Sequence, residues 1–417
     1  MQISLQSPGR KRCFLAASLL AAMAMVGLAT TELLADWCFN RPGRENLERA
    51  VRLRPDNAEY FDRLGRHYTL IEFSPGQAIA AYQTAVALNP YKSRYWLHLA
   101  DLYQEISDTP HQRVALEHAL AADPHNPEVA WQAANLFAGT DSLRSLEQLR
   151  TVLEGVPQLA PAALALAWRL SPDIDRDLKQ VIPADARTYC EFLDLLMVRK
   201  ESIAAQKTWN ALASLQQPIE RQTVFDYIRY LISQSQVDQA AAVWRQAGSL
   251  SGLAAYQPSQ QNLIVNGDFN LDVLNGGFDW LYNKSKDVSL ALDPIEVFLG
   301  RRSLKIKFDS RSLDDAGIRQ LIPVKANTSY IFSGYFKATD IEGAGGPRIV
   351  LQDGYNETLC FASEPMKDTE DWKQISGNFS TGPQSKLLVL RVQRLPAGSP
   401  IRGELWIDNL SLRPASE

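Results

Sequence analysis

A pattern recurs three times between Ala50 and Pro124: Ala50 with Pro55, Ala85 with Pro90, and Ala119 with Pro124. Successive prolines lie 35 and 34 residues apart. Between them the same residue classes return in register, as Phe61-Leu64-Gly65-Tyr68, then Trp96-Leu99-Ala100-Tyr103, then Ala130-Ala133-Ala134-Phe137. A period of this length predicts one helical hairpin per repeat, with neighbouring hairpins stacked over a shared core. The small residue in each set (Gly65, Ala100, Ala134) lets two helices approach closely. The prolines cannot continue a helix and set the turn into the next hairpin.

These positions resemble the tetratricopeptide repeat family, a class of protein-binding scaffolds. In that family the first helix of each hairpin lines a concave groove. Carried over residue by residue, the resemblance puts Glu59, Asp62 and Arg66, then Arg94, Asp101 and Gln104, then Glu128, Trp131 and Asn135 on the groove wall. Mixed charge around an aromatic suits a protein partner, either an extended peptide or a helix. The alternative is a groove filled by the chain's own residues.

Ahead of the repeats, Arg10, Lys11 and Arg12 precede an apolar run from Cys13 to Ala29, extended by Thr30-Thr31 before Glu32. The run sits at the short end of what spans a bilayer. It exceeds the usual apolar core of a cleaved signal, and neither Ala29-Thr30-Thr31 nor Leu33-Leu34-Ala35 fits a small-x-small cleavage site well. An uncleaved anchor is the leading reading and a cleaved signal the second. Either way positive charge stays cytoplasmic and the rest of the chain is exported, which predicts a single-pass protein of the inner (cytoplasmic) membrane with its bulk on the extracytoplasmic side. After Arg41-Pro42-Gly43 comes a helix from about Arg44 to Leu53. In repeat register it is the second half of a hairpin whose first half is missing.

Beyond Phe137 the repeat decays, yet the sequence stays helical in character to Ala247. Periodicity predicts helices at 143–153, 161–170, 184–199, 203–215, 219–234 and 237–246. Residues 249–261 are small and polar, the composition of a linker. From Asn262 the texture changes to short alternating runs broken by Gly, Asn, Asp and Pro, the signal of an all-β sandwich. Leu304, Ile306 and Phe308 share one face, as do Tyr330, Phe332 and Phe336, and again Leu388, Leu390 and Val392. In the closing strand, Leu405 and Ile407 are out of phase with Leu410 and Leu412, which predicts a one-residue bulge at Asp408-Asn409.

The β region resembles carbohydrate-binding modules of families 4 and 9, which are jelly-roll sandwiches. The residues that carry the resemblance are Asn262-Leu263-Ile264-Val265-Asn266-Gly267-Asp268-Phe269, Gly277-Phe278-Asp279-Trp280, Gly300–Ile306, Tyr330–Ala338, Trp372–Phe379 and Gly403–Leu412. Many relatives hold a structural calcium where the first and last strands meet. Here that implies Asp268, Asn270 and Asp408 with backbone groups, though Asn270 and Asn409 stand where the family carries acids. The alternative is that these side chains cap strand ends. Sugar binding needs an exposed aromatic platform and planar polar groups. The outward candidates are Tyr335, Lys337, Arg348, Gln352, Tyr355 and Arg391. A structural or protein-contacting sandwich stays open beside the glycan reading, and Trp280, Trp372 and Trp406 read equally well as core.

Catalytic chemistry is not indicated. All five histidines (67, 98, 111, 118, 125) fall in the repeats, so the β region has no material for a Ser-His-Asp triad or a histidine metal site. Its acids Asp314, Asp315, Asp353, Glu357 and Glu364 sit in polar, turn-like stretches and not in a paired arrangement. Cys13, Cys38, Cys190 and Cys360 fall in separate segments without a CxxC, and read as unpaired. A net charge of −4 leaves no basic footprint for nucleic acid.

The expected architecture is therefore a multidomain α + β chain. It comprises a basic tip with a membrane anchor or signal (1–36), an α-solenoid of tetratricopeptide-like repeats (40–138), degenerate helical repeats (139–248), a linker (249–261) and a C-terminal antiparallel β-sandwich, or jelly roll (262–414). The expected function is non-enzymatic: an envelope scaffold that binds a protein through its repeats and a polysaccharide through its sandwich. The resemblance implies a place beside bacterial exopolysaccharide or O-antigen assembly or export. The alternatives are an assembly factor that binds no glycan, and an accessory module for a separate glycoside hydrolase.

Overall fold

The computed structural model describes residues 8–394 and 397–415. The chain divides into two compact units between Ala211 and Leu212.

The first unit opens on α1 (Pro8–Phe39), a single 32-residue helix. It runs without a break from the apolar segment into the repeats. α2 (Arg44–Leu53) packs back against its end, and the buried contact is made by Ala35, Cys38, Ala50 and Tyr60. The Tyr60 hydroxyl donates to the Asp36 carboxylate, Phe39 stacks on Tyr60 at 4.8 Å, and Arg54 pairs with Glu32 at 3.0 Å. The first half of this hairpin is thus present, contrary to the sequence expectation. It is the last two turns of the apolar helix, whose few buried positions are hidden in sequence by the hydrophobic run before them.

Three hairpins follow: α3 (Ala58–Leu70) with α4 (Pro75–Leu88), α5 (Ser93–Glu105) with α6 (Thr109–Ala122), and α7 (Pro127–Phe137) with α8 (Ser142–Gly155). Four of these six helices have first turns fixed by side-chain caps, while α4 and α5 have none. Asn57 accepts from Glu59 N, Asp108 from His111 N, Asn126 from Glu128 N and Asp141 from Arg144 N. Pro55, Pro90 and Pro124 fall in the turns between hairpins. A Cβ on Gly65 would lie 2.7 Å from the Tyr82 ring, so glycine is what lets α3 and α4 approach there. Further helices are α9 (Ala160–Leu170), the short α10 (Ile174–Arg176) with a π turn over Asp177–Val181, α11 (Ala186–Val198) and α12 (Ser202–Ser214).

The second unit holds α13 (Arg221–Ser233), α14 (Val237–Leu250) and the sandwich. Residues 249–261, expected as a linker, are packed: Leu253 and Tyr256 are buried, and the Trp244 indole N–H donates to the Tyr256 carbonyl at 2.9 Å. The hairpin also meets the sandwich directly. A Cβ on Gly276 would collide with the Phe225 ring and one on Gly277 with the Trp244 ring, while Phe278 meets Trp244 edge-on at 6.0 Å. Small and polar residues over 249–261 look like a linker in sequence, but Leu253 and Tyr256 tie the segment to α14, and Gly276 and Gly277 beyond it let two rings seat.

Two five-stranded antiparallel sheets form the sandwich. The strands are β1 (Leu281–Tyr282), β2 (Val288–Asp293), β3 (Ser303–Leu313), β4 (Asp315–Pro323), β5 (Ser329–Glu342), β6 (Pro347–Asp353), β7 (Leu359–Ala362), β8 (Asp368–Ser380), β9 (Leu387–Arg394) and β10 (Ser399–Pro414). One sheet has the order β1-β4-β9-β6-β7 and the other β2-β3-β10-β5-β8. Alternation sends Leu388, Leu390 and Val392 of the first sheet and Phe332, Phe336, Leu405 and Ile407 of the second into one core. The expected bulge is present: Asp408 opposes Tyr335 while Ser411 opposes Ser333, and Asn409 has φ 50°. The opening segment lies along β10, with Leu263 N bonded to Leu412 O and Leu410 N to Gly267 O, both 2.8 Å.

Candidate functional site

The outward face of the first sheet is set by strand register. Arg319 of β4 stands directly opposite Arg391 of β9, which in turn opposes Val350 of β6. The next outward row brings Asp315, Gln393 and Arg348 together. Because neighbouring strands are about 5 Å apart, the two guanidiniums are held side by side. Arg229 of α13 lines the same cleft as Arg319 and Arg391, together with Asp315, Asn275 and Asn283, around about 560 Å³.

Charge in this cleft is unbalanced. The Arg391 guanidinium lies 3.6 Å from the Asp315 carboxylate, and its Nε is buried without an acceptor among the described residues. Arg319 is exposed, and its guanidinium makes no hydrogen bond or ion pair among the described residues. Arg229 pairs with Asp226, at 2.7 Å, on its own helix. Burial pushes the Asp315 carboxyl above the ordinary carboxylate range, opposed by the Gly317 N–H and by the fields of Arg391 and Arg319. Asn275 uses its carbonyl oxygen to accept from Tyr282 N at 2.9 Å, which leaves its amide N–H groups toward solvent.

The six sugar-site candidates from the sequence fall on two opposite sides. Arg348, Gln352 and Arg391 lie on the first sheet's outer face, and Tyr355 is in the loop after β6. Gln352 is buried there and Arg348 donates to the Ser363 carbonyl at 3.5 Å. The Tyr355 hydroxyl is taken by the Ile232 carbonyl. Tyr335 and Lys337 lie on the outer face of the other sheet, under the loop between β2 and β3. Phe298 stacks on Tyr335 with centroids 3.6 Å apart, Trp372 flanks it at 5.8 Å, and Lys337 pairs with Glu296 at 2.8 Å. The ring expected as an open platform is therefore covered, and Phe298, 38% exposed, is what solvent meets. Trp280 is core, and Trp406 is buried beneath Lys305 with its N–H on Asp293.

The calcium candidates do converge, but in a different role. Asp408 is fully buried; one oxygen accepts from Phe298 N and Leu299 N, the other from Asn409 N. Asn270 accepts from Arg301 N and donates to Asp268, 2.7 Å away. Calcium takes six to eight oxygens, and here the available ones are engaged by N–H groups beside Arg301 and Arg302. No cluster of three His, Cys, Asp or Glu occurs among the described residues. The arrangement does not fit a calcium cage; it pins the β2–β3 loop to the bulge.

Along the first helices of the hairpins the groove candidates are mostly exposed, but Glu59, Asp62 and Arg94 are internally paired, and Asp62 is buried and not on an open groove wall. Arg94 reaches Glu59 at 2.6 Å and His98 reaches Asp62 at 2.7 Å, each bridging one repeat to the next. Gln104 accepts from Gln112, Trp131 is half-buried with its carbonyl capped by Asn135, and Arg66 and Asp101 stay open to solvent. The pairing of acid and base one repeat on was not anticipated, since the sequence reading left these charges open to a partner. Nor was Arg229, because it belongs to a helix remote in sequence from the strands it faces.

Comparison with known proteins bears on the sandwich. Residues 261–398 match the family model for a carbohydrate binding domain. Among solved structures, one described as "CBM4 structure and function" is 16% identical, spans 36% of this chain and 99% of its own, with a TM-score of 0.28. A "Family 16 Carbohydrate Binding Module-2" is 23% identical over 36% of this chain and 99% of its own, TM-score 0.26. A structure of MamA is 14% identical over 40% of this chain and 84% of its own, TM-score 0.25. No curated protein matches the chain.

Proposed function

We propose that this is a non-enzymatic, membrane-anchored glycan-binding protein of the cell envelope. The observation that carries the reading is the cleft of Arg319, Arg391, Arg229 and two asparagines on a sandwich that matches a carbohydrate binding domain. Planar amide and guanidinium groups converge there as a sugar's hydroxyl and acidic groups require. The anchor is the apolar part of α1: within the 29 residues Lys11–Phe39 an 18-residue stretch has mean hydropathy 2.1, long and apolar enough to cross a bilayer. Its unbroken continuation into the first hairpin supports retention of the segment over cleavage. The tetratricopeptide-like hairpins take a protein partner along the exposed side of their first helices, where Arg66 and Asp101 remain open to it.

The sandwich then holds a polysaccharide while the hairpins hold a protein at the membrane, the arrangement suited to assembling or exporting a surface polymer. A glycan array probed with the full chain in detergent tests the sugar half. Retention on at least one polysaccharide is expected, and absence of binding to every glycan removes it.

A further inference from the structure

We propose that the cleft between α13 and the outer face of the first sheet takes a carboxylate-bearing sugar, a uronic acid unit of an acidic polysaccharide, gripped by Arg319, Arg391 and Arg229. This rests on the glycan-binding reading above and names the chemical class of its ligand.

The fold carries a built-in electrostatic cost at this cleft. Arg319 and Arg391 are direct cross-strand partners, and like charges at such positions repel. Arg229 adds a third cation to the same cleft, while the one carboxylate lining it is Asp315. A neutral arrangement was open to the sequence at each position. With Arg229 paired to Asp226 on its own helix, Arg319 and Arg391 share the single carboxylate of Asp315, and a further anion completes the set.

Donor accounting agrees. Arg319 has no acceptor among the described residues, and Arg391 has one at 3.6 Å, outside hydrogen-bond range. A guanidinium presents a planar fork that matches a carboxylate through two parallel N–H donors. Two forks side by side on adjacent strands, with a third facing them from a helix, can hold one carboxylate and its ring oxygens from both sides. Asn275 and Asn283 supply amide groups for neighbouring hydroxyls.

The aromatic content points the same way. A neutral glucan or xylan chain is held largely by stacking on exposed rings. In this sandwich Trp280 and Trp406 are buried, Tyr335 is covered by Phe298, and the Tyr355 hydroxyl is committed to α13. In the cleft itself one half-buried ring, Tyr282, stands beside three guanidiniums, so charge outweighs aromatic surface there. Recognition by charge follows.

The test is affinity electrophoresis and calorimetry of the full chain in detergent against three probes: polygalacturonate, xylan and dextran sulfate. Binding to polygalacturonate is expected to exceed binding to xylan by at least about tenfold and to weaken as salt rises. Arg319→Gln and Arg229→Gln should each weaken it several-fold. Because Arg319 gives up no partner, Arg319→Gln should melt no lower than the native chain, so lost binding is not lost folding. Xylan bound without polygalacturonate overturns this inference and leaves the glycan reading standing. No binding to any probe or array glycan overturns both. Equal binding of dextran sulfate and polygalacturonate, unchanged by either substitution, shows a diffuse polyanion effect and also overturns the inference.

Discussion

Tyr355, in the loop after β6, donates its hydroxyl hydrogen to the Ile232 carbonyl of α13 at 2.9 Å. Arg229 precedes Ile232 by one helical turn, so this bond fastens the helix beside the strands that carry Arg319 and Arg391. Tyr355→Phe removes the donor, and the Ile232 carbonyl keeps only the Ser235 N–H at 3.0 Å. The expected cost is about 1 kcal/mol of stability, read as a lowered melting temperature, together with a two- to fivefold weaker glycan affinity because Arg229 is less firmly placed.

The seating of Trp244 against Gly277 makes a sharper demand. Gly277 has φ 61°, and a Cβ there would run into the indole. Gly277→Ala combines left-handed backbone strain with overpacking, for an expected loss of about 2–4 kcal/mol. Near-ultraviolet circular dichroism, which follows Trp244, should lose intensity at temperatures where the native chain keeps it.

A buried acid gives the unit a pH signature. Asp279 is fully buried with one oxygen lacking any partner among the described residues, and burial pushes its carboxyl up to about 7. The folded value lies above the unfolded one, so its contribution is fully present below about pH 4 and is lost as pH rises toward 7. Asp177, also pushed up to about 7 by burial, acts in the same direction. Asp279→Asn should flatten this slope and make the chain more stable than the native one at pH 8, by on the order of 4 kcal/mol at most. Melting curves of both proteins between pH 4 and pH 8 measure it; parallel curves contradict the assignment.

At the other end of the chain, the apolar helix and the first hairpin share one element. Ala35 is fully buried against α2 and Tyr60. Ala35→Glu places an unpaired charge there, and its expected cost exceeds about 2 kcal/mol, seen as faster amide exchange in α2. Intact-mass measurement of the mature protein should find residues 32–39 retained; a mass corresponding to cleavage before Ala35 contradicts the anchor reading.

Much of the architecture was legible in sequence, for physical reasons. Helical hairpins declare themselves because each repeat must bury the same stripe, so Ala50, Ala85 and Ala119 recur at a fixed period. The sandwich declares itself by alternation, and the phase break between Ile407 and Leu410 located the bulge to the residue. The binding face was only half legible. Alternation correctly sends Tyr335 and Arg391 outward, but it cannot say what lies over them. Phe298 reaches Tyr335 from a loop, and α13 reaches Arg391's sheet from a part of the chain that reads as ordinary helix. Likewise Glu32–Phe39 was hidden because an apolar run masks the few positions that pack.

The central claim is that an acidic glycan sits between α13 and the first sheet, and hydrogen exchange with bound oligogalacturonate tests it most directly. Using the full chain in detergent, added protection is expected at 226–232, 281–283, 317–321 and 389–393, with no change around Phe298, Tyr335 and Trp372. Protection confined to the Phe298 loop and β5, with the α13 and β9 segments unaffected, would contradict it.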